Sequence, residues 1–222
     1  MKCSTESSAL EVQEVDLAAL GLSSRVELYI ARLDLFDAAA PGNKWFKLQP
    51  NLDAARAAGK TGVLSFGGAW SNHLHALAAT GREAGLRTHG MVRGDASAPI
   101  SATLRDVMAQ GMTLEFVTRA EYRQRANPDF LAELGDRYPD FHFVPEGGAN
   151  AAGARGCIEI ARRVCDVIRD VDYLACACGT GTTLAGLAAA GTVPVRGYSV
   201  LRDGGSTAAR VERLLKIGRA HV

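Results

Sequence analysis

The sequence lacks any long hydrophobic run. Its longest apolar stretches, such as Leu174-Ala175-Cys176-Ala177-Cys178, fall far short of the roughly 20 residues that a membrane-spanning helix needs. It also lacks an apolar segment behind the N-terminus, where Met1-Lys2-Cys3-Ser4-Thr5-Glu6-Ser7-Ser8 is polar. No secretory signal is therefore expected, and the expected compartment is the cytoplasm. An excess of charge of one sign is missing too: formal net charge is +1, so nothing draws the chain to nucleic acid or to an anionic membrane surface. Five cysteines, an odd number without framework spacing, exclude a disulfide scaffold and fit a reducing compartment. Internal repeats, low-complexity tracts and extended linkers are absent. What is left is a globular composition: 222 residues, 47% hydrophobic and 22% charged, enough for one large or two modest domains.

Hydrophobic periodicity then gives the order of elements. Residues Met1 to Ser24 read as an N-terminal arm, and Arg25 to Leu35 alternates apolar and polar residues as a strand does. Asp37 to Gly42 is a turn signal. From Lys44 to Ala58 the residues Trp45, Leu48, Leu52 and Ala55 recur at helical spacing, with Gly59 as the stop. Pro50 falls inside that helix and is expected to kink or shorten it. Strands follow at Thr61 to Phe66, Gly85 to Arg93, Met112 to Val117, Phe141 to Val144, Tyr173 to Cys178 and Val195 to Val200. Between them lie helices from about Ser71 to Ala84, Ile100 to Gln110, Asp129 to Arg137, Gly153 to Asp170 and Thr182 to Gly191. That alternation means βαβ units and a parallel sheet, an α/β fold.

Three stretches carry chemistry. Gly42-Asn43-Lys44-Trp45-Phe46-Lys47-Leu48 places two lysines as neighbours on one helix turn. Gly67-Gly68-Ala69-Trp70-Ser71-Asn72-His73 offers a hydroxyl and an amide behind two glycines. Cys178-Gly179-Thr180-Gly181-Thr182-Thr183 is a Gly/Thr turn opening a helix, where backbone N–H groups hold a phosphate. A lysine amine forms a Schiff base with a carbonyl once its pKa is lowered. Together these residues describe a site for a phosphorylated aldehyde cofactor, pyridoxal 5'-phosphate.

The motifs, with Asp34-Leu35 upstream and Pro145-Glu146-Gly147-Gly148-Ala149-Asn150 between the second and third, resemble those of the 1-aminocyclopropane-1-carboxylate deaminase/D-cysteine desulfhydrase family. The resemblance runs from about Arg25 to about Val200. It implies two parallel-sheet three-layer α/β domains of the tryptophan synthase β-like pyridoxal-phosphate type, with the cofactor between them. Residues 1–59 and 141–222 would form the large domain, incomplete at its C-terminal end, and 60–140 the small one. It further implies that Lys44 is the Schiff-base lysine and Lys47 a phosphate partner. Asn72 would contact the pyridine hydroxyl, Ser71 would act on the substrate, and Gly179, Thr180, Gly181, Thr182 and Thr183 would form the phosphate loop. The substrate would be a small amino acid, and the full-length protein a homodimer. Family members run further downstream, and Ile217-Gly218-Arg219-Ala220-His221-Val222 looks like a translated sequencing adapter, so the natural reading frame is expected to have been cut near Lys216.

The implied activity is a pyridoxal-phosphate-dependent lyase or deaminase releasing a keto acid and ammonia. A serine/threonine dehydratase, a β-replacement synthase and a non-catalytic phosphate binder are the alternatives. His73 in place of the glutamine usual in cyclopropane deaminases points toward D-cysteine. Simpler roles compete at single residues. Ser71 also suits a helix N-cap, and His73 a structural place. Glu146 suits a turn, Cys176 and Cys178 suit core packing better than a metal site, and Trp45 and Trp70 suit helix-to-sheet packing.

Overall fold

A computed structural model describes residues 9–23, 25–200, 202 and 205–219, with side chains to residue 216. The expectations for Met1 to Ser8 and Ala220 to Val222 lie outside the described residues. The chain order is β1 (Val12–Glu14), β2 (Tyr29–Ala31), α1 (Asn43–Ala57), β3 (Gly62–Gly68), α2 (Asn72–Glu83), β4 (Arg87–Arg93), α3 (Ala102–Ala109) and β5 (Thr113–Val117). It continues with α4 (Arg119–Arg123), α5 (Pro128–Arg137), β6 (Phe141–Val144), a 3-10 turn (Glu146–Gly148), α6 (Ala151–Val167), β7 (Leu174–Cys178), α7 (Thr182–Ala190), β8 (Val195–Ser199) and α8 (Ser206–Arg219). Among the described residues no helix is long and apolar enough to cross a membrane.

The central element is a four-stranded parallel sheet in the order β5-β4-β3-β6. Both faces are covered, as a parallel sheet requires. Val63, Val92 and Val144 pack with Leu74, Leu77, Leu104 and Val107 on the side of α1, α2 and α3. Leu64, Phe66, Met91 and Val117 point the other way, onto Tyr122 and Leu134 of α4 and α5. The α/β fold with a parallel sheet is thus present in three layers. Strand β6 pairs with β3, so this sheet extends to Val144, past the boundary expected at residue 140.

A second, two-stranded parallel sheet, β7-β8, is covered by α6 and α7 through Cys157, Ile160 and Leu187. Its other face shows Ala175, Ala177 and Tyr198 to solvent. The N-terminal part departs from expectation. Only Tyr29–Ala31 of the expected Arg25–Leu35 strand is extended, and it pairs antiparallel with Val12–Glu14 inside the expected arm. Three-residue strands carry too little alternation to be read from pattern. Helices α4 and α8 were not expected.

Helix α1 is buried on two sides, which is why its apolar positions do not form one stripe. Leu48, Leu52 and Ala55 face the four-stranded sheet, whereas Phe46 faces α6. The helix closes at Gly59, φ 65°, with Lys60 N–H donating to Ala55 O at 2.9 Å, a glycine C-terminal closure. Pro50 neither ends nor shortens it, contrary to expectation: the helix runs on to Ala57. Proline has no N–H for the carbonyl four residues earlier, here that of Phe46. That carbonyl oxygen lies against Gly156 of α6, so close that a Cβ at 156 would overlap it. The helix pair tolerates the proline because its neighbour is a bare Cα.

Candidate active site

Helix α1 starts at Gly42, φ 84°, without a side-chain cap, and brings Lys44 to its first turn. Lys44 Nζ donates to Asn43 Oδ1 at 2.8 Å, and Asn43 Nδ2 donates to Thr183 Oγ1 at 2.8 Å. One asparagine therefore ties the lysine to the first turn of α7. Asn43 stands in the Gly42-Asn43-Lys44 motif, but its bridging role depends on Thr183, which is distant along the chain.

Lys47 lies one turn on and is 3% exposed. Among the described residues its ammonium has no acidic partner and no hydrogen-bond acceptor. Burial first, and then the Lys44 cation, lower its pKa from 10.5 to about 8. The pKa of Lys44 is also lowered, chiefly by burial. Desolvation dominates at both amines, and it is deepest at Lys47.

Two further segments close on these lysines. In the Pro145–Asn150 loop, Gly147 and Gly148 both have positive φ, 70° and 68°. A Cβ at Gly148 would lie 3.1 Å from Lys47 Cβ, and one at Gly147 would lie 3.2 Å from Thr180 Cγ2. Fully buried Asn51 fastens this loop to α1. Its Nδ2 donates to Lys47 O at 2.7 Å, and its Oδ1 accepts from Asn150 Nδ2 at 2.7 Å. The second segment is Gly179–Thr183. Gly181, φ 80°, precedes α7 without a side-chain cap, so the first N–H groups of α7 have no capping acceptor. Thr180 and Thr182 hydroxyls lie 3.0 Å apart. Cys157, whose thiol burial pushes up, shares a hydrogen bond with Thr183.

The second motif sits at the carboxyl end of β3. Ser71 caps α2, accepting from Leu74 N–H at 3.2 Å. Asn72 follows, exposed, at the first helical position. No hydrogen bond links Ser71 or Asn72 to either lysine among the described residues. Trp70 is 71% exposed, so packing does not account for it, whereas Trp45 stacks edge-on with Phe36. His73 is buried and structural on its Nε2 side. Ser65 Oγ donates to Val144 O at 2.7 Å and so accepts from His73 Nε2–H at 2.8 Å. That fixes Nδ1 as an acceptor, buried and without a partner. Burial first, then Lys44 and Lys47, lower the His73 pKa to about 3, so the ring stays neutral.

A nearly buried ammonium without a counter-ion is costly, and an anion placed between it and the uncapped start of α7 removes that cost. Lys44, desolvated and oriented by Asn43, is suited to meet a carbonyl. The residues present thus fit a ligand that joins a phosphate to an aldehyde, carried on an α/β scaffold. Residues 17–191 match the family described as pyridoxal-phosphate dependent enzyme, and the chain belongs to that family. Pyridoxal phosphate is the family's cofactor.

Among curated relatives, a putative 1-aminocyclopropane-1-carboxylate deaminase of Thermotoga maritima is 30% identical over 185 residues, covering 78% of this chain and 58% of the relative. A D-cysteine desulfhydrase of Salmonella paratyphi B is 30% identical over 174 residues, covering 73% of this chain and 52% of the relative. A solved structure of an ACC deaminase homologue aligns with a TM-score of 0.79 at 22% identity, covering 95% of this chain and 66% of that one. The chain thus spans about half the length of these curated relatives.

The state of Lys47 yields a first prediction. The amine is cationic below its pKa of about 8, and a bound phosphate favours the cation. Affinity for inorganic phosphate or pyridoxal phosphate should then fall as pH rises above about 8, at most roughly tenfold per pH unit for one linked proton. The opposite sign holds for folding without anion. A lysine whose pKa is lowered from 10.5 costs stability while protonated, so its contribution to the thermal midpoint rises between pH 8 and pH 10.5. Binding isotherms and melts across pH check both, and Lys47→Met should flatten both profiles.

Proposed function

We propose that this chain carries the cofactor site of a pyridoxal-phosphate-dependent lyase or deaminase acting on a small amino acid. The observation that carries the reading is the Asn43 bridge, which holds the Lys44 amine beside the first turn of α7 while Lys47 supplies an unmatched cation one turn away. Lys47, the N–H groups at Gly179–Thr183 and the Thr180 and Thr182 hydroxyls hold the phosphate. Lys44 Nζ, its pKa lowered by burial, gives up and takes back a proton more readily than an exposed lysine. Asn43 aims that amine. Ser71 and Asn72 stand at the end of β3 to meet substrate and cofactor ring. Pyridoxal phosphate supplies the electron sink for bond breaking at the substrate α-carbon.

Support for D-cysteine over the cyclopropane amino acid comes from His73, by resemblance to desulfhydrase-like members, and from the likeness to the Salmonella D-cysteine desulfhydrase. With a full-length protein, D-cysteine should yield pyruvate, ammonia and sulfide, whereas 1-aminocyclopropane-1-carboxylate should react poorly. A sulfide assay beside a keto-acid assay checks this, and ring opening without sulfide release refutes it. A visible absorbance band on adding pyridoxal phosphate separates either activity from a phosphate binder without turnover.

A further inference from the structure

Glu146 opens the 3-10 turn of the Pro145–Asn150 loop, and its carboxylate is taken up by Tyr122 of α4 and by Arg125 just past the end of that helix. Oε1 accepts from Tyr122 OH at 2.6 Å, and Oε2 accepts from Arg125 Nε at 2.6 Å. The two donors are tied to each other, since Arg125 Nη1 donates to Tyr122 O at 3.0 Å and the guanidinium lies 4.7 Å from the Tyr122 ring centroid. Arg93 lies 5.3 Å from the same ring. Burial and the Glu146 carboxylate push the Tyr122 pKa well above the ordinary phenol value, so its OH stays a donor. A capping box of Thr118 and Glu121 fixes the start of α4. Immediately after Glu146 come the two glycines that press on Thr180 and on the Lys47 stem. The turn is therefore pinned at one end by the acid and seated at the other on the lysine.

We propose that Glu146, Tyr122 and Arg125 are positioning residues for the phosphate cradle: they hold the Gly147–Gly148 turn over Lys47, shut water off from its stem and set its distance from the Gly179–Thr183 loop. The proposal deepens, and rests on, the reading of Lys47 as phosphate partner. The pair itself is more than a third exposed on each side, 36% and 38%, so it adds little to global stability. Its effect is local, and a melting curve alone does not report it.

The local readout is the titration of Lys47. Loosening the turn lets water reach the amine, removes part of the desolvation and moves its pKa up from about 8 toward 10.5. The other titratable groups around Lys47 are Lys44 on α1, His73 on α2, Cys157 on α6, and Cys176 and Cys178 on β7. The substitutions below alter none of them. Competitive acetylation of the whole chain across pH, followed by peptide mapping, gives the Lys47 titration without any cofactor. In Glu146→Gln the midpoint should move upward while the melting temperature stays within a few degrees. Pyridoxal phosphate affinity should drop roughly tenfold, the loss of one charge-assisted contact. Arg125→Lys, which keeps the cation beside the Glu146 carboxylate, should move both less than Glu146→Gln does.

An unmoved Lys47 midpoint in a folded Glu146→Gln chain overturns the proposal. Should that variant not fold, Tyr122→Phe decides in its place: an upward midpoint supports the latch, an unchanged one overturns it. A shifted midpoint in a chain that binds no pyridoxal phosphate in any form leaves the latch standing and overturns the phosphate role. Unchanged titration with intact cofactor binding does the reverse.

Discussion

A chain carrying Lys44→Ala is expected to give no visible band with pyridoxal phosphate, no pyridoxyl label after borohydride reduction, and no turnover in a full-length protein. Lys44 and Lys47 are chemically identical and sit on adjacent turns of one helix, so the distinction rests on their surroundings. Lys44 Nζ has a neutral acceptor, Asn43 Oδ1 at 2.8 Å, which orients the amine without adding a negative charge that would hold its proton. Lys47 has neither acceptor nor counter-ion among the described residues and is the more deeply buried of the two. An unmatched cation at that depth is what a phosphate satisfies. Lys47→Ala should therefore keep the label on Lys44 but weaken cofactor affinity by roughly tenfold to a hundredfold, as loss of a hydrogen bond to a charged group implies. Ser71→Ala should keep the cofactor and lose most activity, with about 1 kcal/mol less stability from the lost helix cap. Peptide mapping of the reduced protein is decisive: a pyridoxyl group on Lys47 exchanges the two assignments.

The largest effect on the fold is expected from one methyl group. Gly156→Ala places a Cβ where the Phe46 carbonyl oxygen now sits, and neither backbone yields as a flexible side chain would. Helix α6 would have to move off α1, opening the Phe46, Cys157 and Ile160 core between them. Overpacking of this kind costs on the order of 3 kcal/mol. For a chain of this size that is a fall in melting temperature of roughly 6 to 12 °C. Because α1 carries both lysines, the Lys47 titration and pyridoxal phosphate affinity should change together with stability, unlike in Glu146→Gln. Gly59→Ala is the control. Its φ of 65° makes it a strained position, but nothing lies within 4 Å of its Cβ site, so it should cost only about 1 kcal/mol and leave affinity untouched. Thermal melts of the two variants beside the parent test the contrast.

Much of this was legible in the sequence for identifiable reasons. Gly42-Asn43-Lys44 and Gly179-Thr180-Gly181 require particular residue types, and α1 begins at Asn43, one residue from the reading that started it at Lys44. The alternation of strands and helices gave the parallel α/β sheet because both faces of β3 carry large apolar residues. What escaped depends on partners distant along the chain. The sequence flagged Pro50 as a helix breaker, and only the Gly156 approach explains its tolerance. Glu146 read as a turn acid, while its ligands Tyr122 and Arg125 lie 24 and 21 residues upstream. The depths of the two lysines were likewise hidden, since desolvation is set by what packs above them and not by their spacing on the helix.

The hydrogen bond from Asn43 to Thr183 joins residues 140 positions apart. Closing so long a loop is entropically slow, and domains form in the order in which they leave the ribosome. During synthesis, Lys44 waits unaimed until the whole four-stranded sheet, α6 and β7 have emerged and α7 has begun. The bridge that orients the Lys44 amine is thus complete only once the first turn of α7 has formed, and a chain made only as far as β7 does not carry it.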